Sequence, residues 1–403
     1  MTFDIALSGL NAASKDLEVI SNNIANNATT GYKASRVEFS DVYSASRQNS
    51  AGQGVTIANI SQDHTAGNIT DTGKTLDLSI SGQGFFRMHK EGEVTYTRNG
   101  IFSLDRAGFI VNAAEEQLTG YETTANGALS PTLGPLQIEA DDIQPNATTN
   151  VEFGINLDAT MEVLGPFDAN DPDTYNFSTG TTIYDTLGNP NILTMYFHKD
   201  TPNTWSMYSF VDGNEISQAG GDELVFATDG QISTINGAAA TTQSMPTFLP
   251  ITGAGPMNVD FDLTNLTQYS GNFGVNHILQ DGFPNGRLND LDIDEDGSIL
   301  GRYSNGQSQL LGQVTLTNFR NVDGLDQTIG TAWKETFASG SALTGKPGSA
   351  SLGTIRGGSL EESNVEITEE LVSMISAQRS FQANAQVITT SDTINQTVIN
   401  MRR

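Results

Sequence analysis

The chain has no cysteine, which excludes disulfide scaffolds, thiolate metal sites and cysteine nucleophiles. Basic residues are scarce: 19 Lys and Arg stand against 47 Asp and Glu, a formal charge of −28. A surface of that sign repels polyanions, so nucleic acid and anionic lipid are poor partners. Long apolar runs are missing as well, and no membrane-spanning helix is expected. The opening MTFDIALSGLNAASKDLEVI carries Asp4 and has no basic leader. It is not expected to act as a Sec-type signal, so work outside the cell would need another export route.

What the chain does have is pattern at both ends. Phe3, Leu10, Leu17 and Ile24 recur every seventh residue, with Ala6, Ala13 and Ile20 three positions on. That is the a/d spacing of a coiled-coil seam. Gly9 weakens this helix, and the asparagines from Asn22 onward end it by competing for backbone hydrogen bonds. At the other end no glycine or proline follows Gly358. Ile367, Met374, Phe381 and Ile388 are seven apart, with Leu371 and Ala385 four further on. Beyond Ile388 the stripe slips to Val387, Ile394 and Met401, the drift of a 3.6-residue helix under a seven-residue repeat. A helix over 366–401 would be about 50 Å long. Narrow stripes flanked by Asn, Ser, Thr and Gln make marginal isolated helices. The two seams are therefore expected to pair between termini or between chains.

Between the ends the texture turns to β. EVTYTRNGIFSLDRAGFIVNAAEEQLTGY alternates strand-like runs with turn signals at Asn99-Gly100 and 105–108. Similar signals recur at 185–190, Asp296-Gly297 and Asn305-Gly306, as in hairpin-rich proteins. Two polar, proline-bearing stretches, 138–150 and 279–290, read as domain edges. Residues 147–283 hold 16 acids against one base, Lys199. The expected fold class is mainly β with terminal α-helices. Coiled-coil-like helices cover 1–30 and 366–403, and an extended linker region covers 31–70 and 354–365. A discontinuous β domain takes 71–146 and 284–353, and an inserted all-β domain takes 147–283.

Motifs with chemistry are thin. GNITDTGKT (67–75) has one residue too many between its first glycine and Gly-Lys-Thr for a phosphate loop. Asp71-Thr72-Gly73 lacks the second carboxylate that aspartic-protease chemistry shares a proton with, and reads as a turn. Asp292, Asp294 and Asp296 occupy positions 1, 3 and 5 of a calcium loop with Gly297 at 6. Position 12, which should be Glu, is Tyr303, and strands rather than helices flank it. His64, His89, His198 and His277 show no metal spacing. Trp205 and Trp333 read as core. No catalytic residue, metal or cofactor is expected, and the chain is not expected to be an enzyme.

SGLNAASKDLEVISNNIANNATTGYKASRVEF closely resembles the N-terminal signature of the flagellar rod and hook protein family, through Asn22, Asn23, Asn26, Gly31, Tyr32 and Lys33. LDLSISGQGFF, YTRNGIFSLDRAGFIVN and LTGY continue the likeness, and Glu362-Ser363-Asn364-Val365, Gln378-Arg379 and Phe381 match its C-terminal pattern. The large insert points to the hook branch, because rod proteins of the family are shorter. The resemblance implies self-assembly into a curved hollow tube, a universal joint that carries torque from rod to filament. It implies that Phe3, Leu10, Leu17, Ile20, Ile24, Ile367, Leu371, Met374, Phe381 and Ile388 form a polymerisation seam. Distal rod protein, hook-filament junction protein, hook cap and the flagellar type III export gate are the implied partners. FSDVY resembles the short element that engages that gate, with Phe39 and Tyr43 as its anchors. The alternative from the residues alone is a secreted adhesin or carbohydrate-binding β protein with an open site around Trp205.

Overall fold

The structure, a computed structural model, describes residues 2–42, 52–124, 127–139 and 141–401. It divides into two compact units, one made of 1–140, 290–302 and 308–403, the other of 141–289 and 303–307.

In the first unit, helix α1 (Thr2–Ala25) packs against helix α2 (Ile367–Met401). α1 stops at Ala25, short of the expected residue 30, and the asparagines explain the stop. The Asn26 amide bonds the carbonyls of Asn22 and Asn23 at 3.1 Å, and its side chain reaches back to the Asn22 carbonyl and side-chain oxygens at 2.9 and 2.8 Å. These local bonds close the last turn rather than extend it. The region expected as an extended linker holds a hairpin. Strand β1 (Ser35–Asp41) pairs antiparallel with strand β2 (Val55–Gln62), with a bulge between Glu38 and Phe39, and both strands lie against α1. Val37, Phe39, Ile57 and Ile60 supply the β-branched and aromatic content that favours this pairing.

A thirteen-stranded sheet dominates the rest of that unit. Its aromatic centre is Phe85, Tyr96, Phe319 and Trp333, all nearly inaccessible. Tyr96 and Phe319 meet edge to face at 4.8 Å between centroids, Phe85 and Trp333 at 5.3 Å, the arrangement aromatic quadrupoles prefer. The Trp333 indole N–H donates to Gln62 Oε1 at 2.6 Å, tying the end of β2 to the sheet. Asn99-Gly100 does not make the hairpin turn its composition signals. Gly100 is there for close approach: a Cβ on it would lie 1.6 Å from the Leu78 carbonyl oxygen. The Asp105 and Asp294 turns do form, each closed by a glycine amide bonding back to the aspartate carbonyl.

The second unit is all β. A six-stranded and a five-stranded sheet share one core that includes Val151, Phe153, Phe197, Trp205, Met207 and Phe261. Strand Asn150–Asp158 alternates inward residues with polar ones, the period-2 signature of a strand with one buried face.

Candidate functional site

Both ends of the chain meet where α1 exits. Gly31 turns the chain with φ +69°, and a Cβ there would sit 2.6 Å from the Arg98 carbonyl carbon and the Asn99 nitrogen. Only glycine tolerates both conditions. Its N–H donates to the Glu361 carbonyl at 2.8 Å, which joins the N-terminal signature to the C-terminal segment. Tyr32 then turns inward, and its hydroxyl lies 3.2 Å from Asn23 Oδ1 and 3.3 Å from Asn22 Oδ1.

Asn23 is the hub of this corner. It is 1% exposed. Its Nδ2 donates to the Ser35 carbonyl and to Glu370 Oε1 on α2, both at 2.8 Å, while its Oδ1 accepts from the Ser35 N–H at 3.0 Å. Asn364 makes a parallel bridge, accepting from the Ala34 N–H at 2.8 Å and donating to the Asp63 carbonyl at 2.8 Å. The asparagine side chains are thus committed within the chain.

Beneath them lies a buried ion triad. Lys33 Nζ reaches Glu361 Oε1 at 2.5 Å and the Thr65 carbonyl at 2.6 Å. Arg98 bonds Glu361 Oε2 at 3.0 Å and the Gly82 carbonyl at 2.8 Å. The Lys33 and Glu361 side chains are 0% exposed. Burial alone would raise the Glu361 carboxyl, but Arg98, Lys33 and the Gly67 N–H hold it below the ordinary carboxylate range. Burial pushes the adjacent His64 imidazole down; Asp323 opposes that, and the positive charges of Lys33 and Arg98 add to it. Charges matched this closely inside a protein act as a structural clamp.

Further along, α1 packs against α2 at Gly9, where a Cβ would meet the Asn384 side-chain amide at 2.8 Å. The packed stripe on α2 runs through Glu370, Met374, Ala377, Phe381, Asn384 and Ile388. Met374, Phe381 and Ile388 from the expected seam therefore lie on it, whereas Ile367 and Leu371 stay exposed on a neighbouring face. On α1 the buried residues are Ala6, Ala12, Ala13, Val19, Ile20 and Asn23. Ile20 is central, Leu10, Leu17 and Ile24 lie half-buried on its flank, and Phe3 is exposed. The face is broader than an a/d stripe because α1 has two neighbours, α2 and the β1–β2 hairpin. An open groove of about 430 Å³ runs between them, lined by Gly9, Ala12, Phe39, Val55, Ser376 and Ala377. Phe39 is partly exposed on β1; Tyr43 lies outside the described residues.

Glu361, Arg98 and Asn384 escape the sequence reading. Arg98 hides behind an Asn-Gly pair that reads as a turn, and Glu361 stands beside Glu362 with no periodic signal to separate them. The other motifs have structural employment. Asp292 pairs with Arg302, Asp296 pairs with Lys346 at 3.0 Å and accepts the Ser298 N–H at 3.0 Å, and the Asp294 backbone closes the turn. Among the described residues no group of three or more His, Cys, Asp or Glu could hold a metal. Asp71 pairs with Arg356 at 2.9 Å in a strand beside Ser359–Glu361.

Comparison with known proteins finds four family matches along the chain. Residues 3–33 match the family described as flagella basal body rod protein, and 356–401 match the flagellar basal body rod FlgEFG protein C-terminal family. Residues 79–160 match the flagellar hook protein FlgE/F/G D1 domain, and 156–283 the flagellar basal body protein FlaE D2 domain. Flagellar hook protein FlgE of Escherichia coli (strain K12) is 39% identical over 416 residues, with 100% of both chains covered. The chain belongs to the flagellar hook protein family. The Salmonella typhimurium hook protein is likewise 39% identical with 100% of each chain covered, and that of Borreliella burgdorferi is 33% identical with 98% of each covered. The crystal structure of Helicobacter pylori flagellar hook protein FlgE2 shares the fold, with a TM-score of 0.53 and 14% identity over 71% of this chain and 99% of that one.

As a hook protein the chain is a structural subunit of the flagellar hook, self-assembling and partnered by rod and hook proteins. The carbohydrate-binding alternative is not supported. Trp205, its expected sugar platform, is 0% exposed, and its indole N–H is held by Gln268 Oε1 at 2.7 Å.

Proposed function

We propose that this subunit builds the curved hollow tube of the hook and that α1 and α2 hold the tube together. The observation that carries the reading is apolar surface left over after the two helices have packed. Phe3, Ile5 and Leu7 on α1, and Ile367, Leu371, Val372 and Ile375 on α2, remain exposed. Helices with a second apolar face need a second partner, and in a homopolymer that partner is another copy. The ten seam positions from Phe3 to Ile388 thus divide between packing within the chain and contact between chains.

In this reading the helical termini line the central channel and the β-rich parts lie further out. The tube transmits torque while bending because apolar seams hold at the inside and polar acidic faces slide outside. The Lys33–Glu361–Arg98 clamp fixes the direction in which both helices leave the β domain. The protein is a structural element without catalytic activity. Export proceeds through the flagellar type III apparatus, with Phe39 and Tyr43 meeting its gate in the unfolded chain. Distal rod protein, hook-filament junction protein and hook cap meet its two ends.

The test is electron microscopy of the full chain beside a Leu371→Ser, Ile375→Ser variant. Both substitutions are at exposed positions, so circular dichroism should show an unchanged monomer. Hollow tubes from the parent and none from the variant are expected. Normal tubes from the variant would remove the helices' exposed face from the assembly.

A further inference from the structure

His64 follows the end of β2, where the chain passes from the hairpin to the β domain. Its half-buried ring is wedged against two aromatics of the sheet's centre. The centroid distances are 5.6 Å to Trp333 and 6.0 Å to Phe85, the latter edge to face. The backbone on either side is pinned. The Asp63 N–H donates to the Ala34 carbonyl at 2.8 Å, the Thr65 carbonyl accepts from Lys33 Nζ at 2.6 Å, and the Gly67 N–H donates to Glu361 Oε1 at 3.0 Å. A Cβ on Gly67 would sit 2.0 Å from the Glu362 carbonyl oxygen, so the segment lies flat against the C-terminal strand. The imidazole thus sits in a segment that ties hairpin, clamp and sheet together.

Nδ1 of His64 is buried with no hydrogen-bond partner among the described residues. A neutral imidazole carries its proton on one nitrogen only, so Nδ1 can stay bare, whereas the protonated ring carries an N–H on both. Two other buried atoms of this corner lack a partner. One is Gln62 Nε2, whose amide holds the Trp333 indole through Oε1 at 2.6 Å, and the other is Arg98 Nε, whose guanidinium lies 5.5 Å over the Phe85 ring. Both are donors, so a new N–H here adds a donor where the corner already has a surplus. Charge acts in the same sense. Burial is the largest influence against a cation at His64; Asp323, from the 322–324 turn, opposes it, Lys33 and Arg98 reinforce it, and Asp63 opposes it. Glu361 is committed to Lys33 and Arg98, and Lys334, beside Trp333, pairs with Glu93.

We propose that His64 is an acid-released latch: the neutral ring locks residues 62–68 onto the β domain, and a proton taken up at Nδ1 drives the ring out of the Phe85–Trp333 slot and frees the segment. Half-burial of the ring gives solvent protons access to it. The sign follows from linkage. The folded ring takes up its proton less readily than a free histidine, so the latch is at full strength above the ordinary value of 6.5 and weakens as pH falls below it. Release slackens the tie between the helix-bearing end of the chain and the sheet. The latch belongs to the single subunit, whether or not tubes form.

Hydrogen exchange in the full-length monomer tests this, because exchange measures local opening. Exchange of peptides covering 60–70, corrected for the intrinsic effect of pH, should be level above neutrality. Below 6.5 it should rise about tenfold for each pH unit until the folded ring's own value is reached. Peptides from Asn150–Asp158 should not change over the same range. His64→Phe keeps an aromatic ring in the slot and removes the proton site, so its exchange at 60–70 should stay level. Glu370, whose carboxyl burial pushes up, is intact in that variant, so any acid effect of its own would persist there. With four histidines in the chain, the His64 Cε1–H resonance of the parent can also be followed by NMR, and it should titrate below 6.5. No rise in the parent, an equal rise in His64→Phe, or a His64 resonance that titrates at or above the ordinary value overturns the latch. Should His64→Phe not fold, the parent's exchange and the His64 titration decide the matter between them.

Discussion

Glu361 puts a carboxylate where water does not reach it, and three groups answer it: Lys33, Arg98 and the Gly67 N–H. Removing the acid strands two buried cations, which is far costlier than losing a surface pair. Glu361→Ala is therefore expected to destabilise the monomer by about 3–5 kcal/mol in urea unfolding. The pH dependence has a definite sign. Because the folded carboxyl titrates below the ordinary value of 4.5, its contribution is full above that value and falls away as pH drops toward the folded one. Comparing urea stability of the parent and Glu361→Gln across that acid range should show a gap that narrows as pH falls. A gap constant with pH would mean that the clamp does not depend on the ionised acid. Asn23 makes the neighbouring case. Asn23→Asp loses both Nδ2 donations and sets a second carboxylate against Glu370, whose own carboxyl burial already pushes up. Thermal unfolding should register a loss of about 3 kcal/mol, with partial recovery when Glu370→Gln is added.

At the scale of elements, the same residues serve two kinds of packing. Met374 and Phe381 lie on the α2 stripe that faces α1, so truncating them loosens the helix pair before any second chain arrives. A Met374→Ala, Phe381→Ala chain is expected to keep its β domains, judged by near-ultraviolet circular dichroism, and to lose tube formation under the electron microscope. Normal tubes from this variant would sink the seam assignment. The heptads made both helices legible in the sequence, since glycine-free periodicity over 35 residues leaves little else for α2 to be. They did not reveal the hairpin. β1 and β2 are short, separated by polar sequence, and stable because α1 offers them a surface, which is a tertiary effect. Nor could the corner be read. Asn23 looked like one breaker among several, and only the fold brings Ser35, Tyr32 and Glu370 within its reach. Gly100 failed as a turn signal for a related reason: its small size answers the Leu78 carbonyl, a partner 22 positions away.

For the whole molecule, charge is the unresolved opposing term. A subunit of −28 that must stack on copies of itself meets repulsion between its charged faces, and the acidic unit concentrates it. Buried clamps such as Lys33–Glu361–Arg98 are shielded from solvent ions, so the individual fold should respond weakly to salt. Contacts between subunits lie in water and should respond strongly, because the screening length shrinks from about 30 Å at 0.01 M to about 8 Å at 0.15 M. Assembled hooks are therefore expected to loosen or straighten in dilute buffer and to recover curvature when salt is restored. The melting temperature of the monomer should move little over the same range. Magnesium and sodium chloride at matched ionic strength separate two mechanisms. Equal recovery identifies screening alone, whereas recovery with magnesium at much lower concentration identifies divalent bridges between acidic faces. Hooks whose curvature and length are unchanged from dilute to concentrated salt would show that the apolar seams outweigh the repulsion entirely, and the acidic units would then have no part in setting the tube's shape.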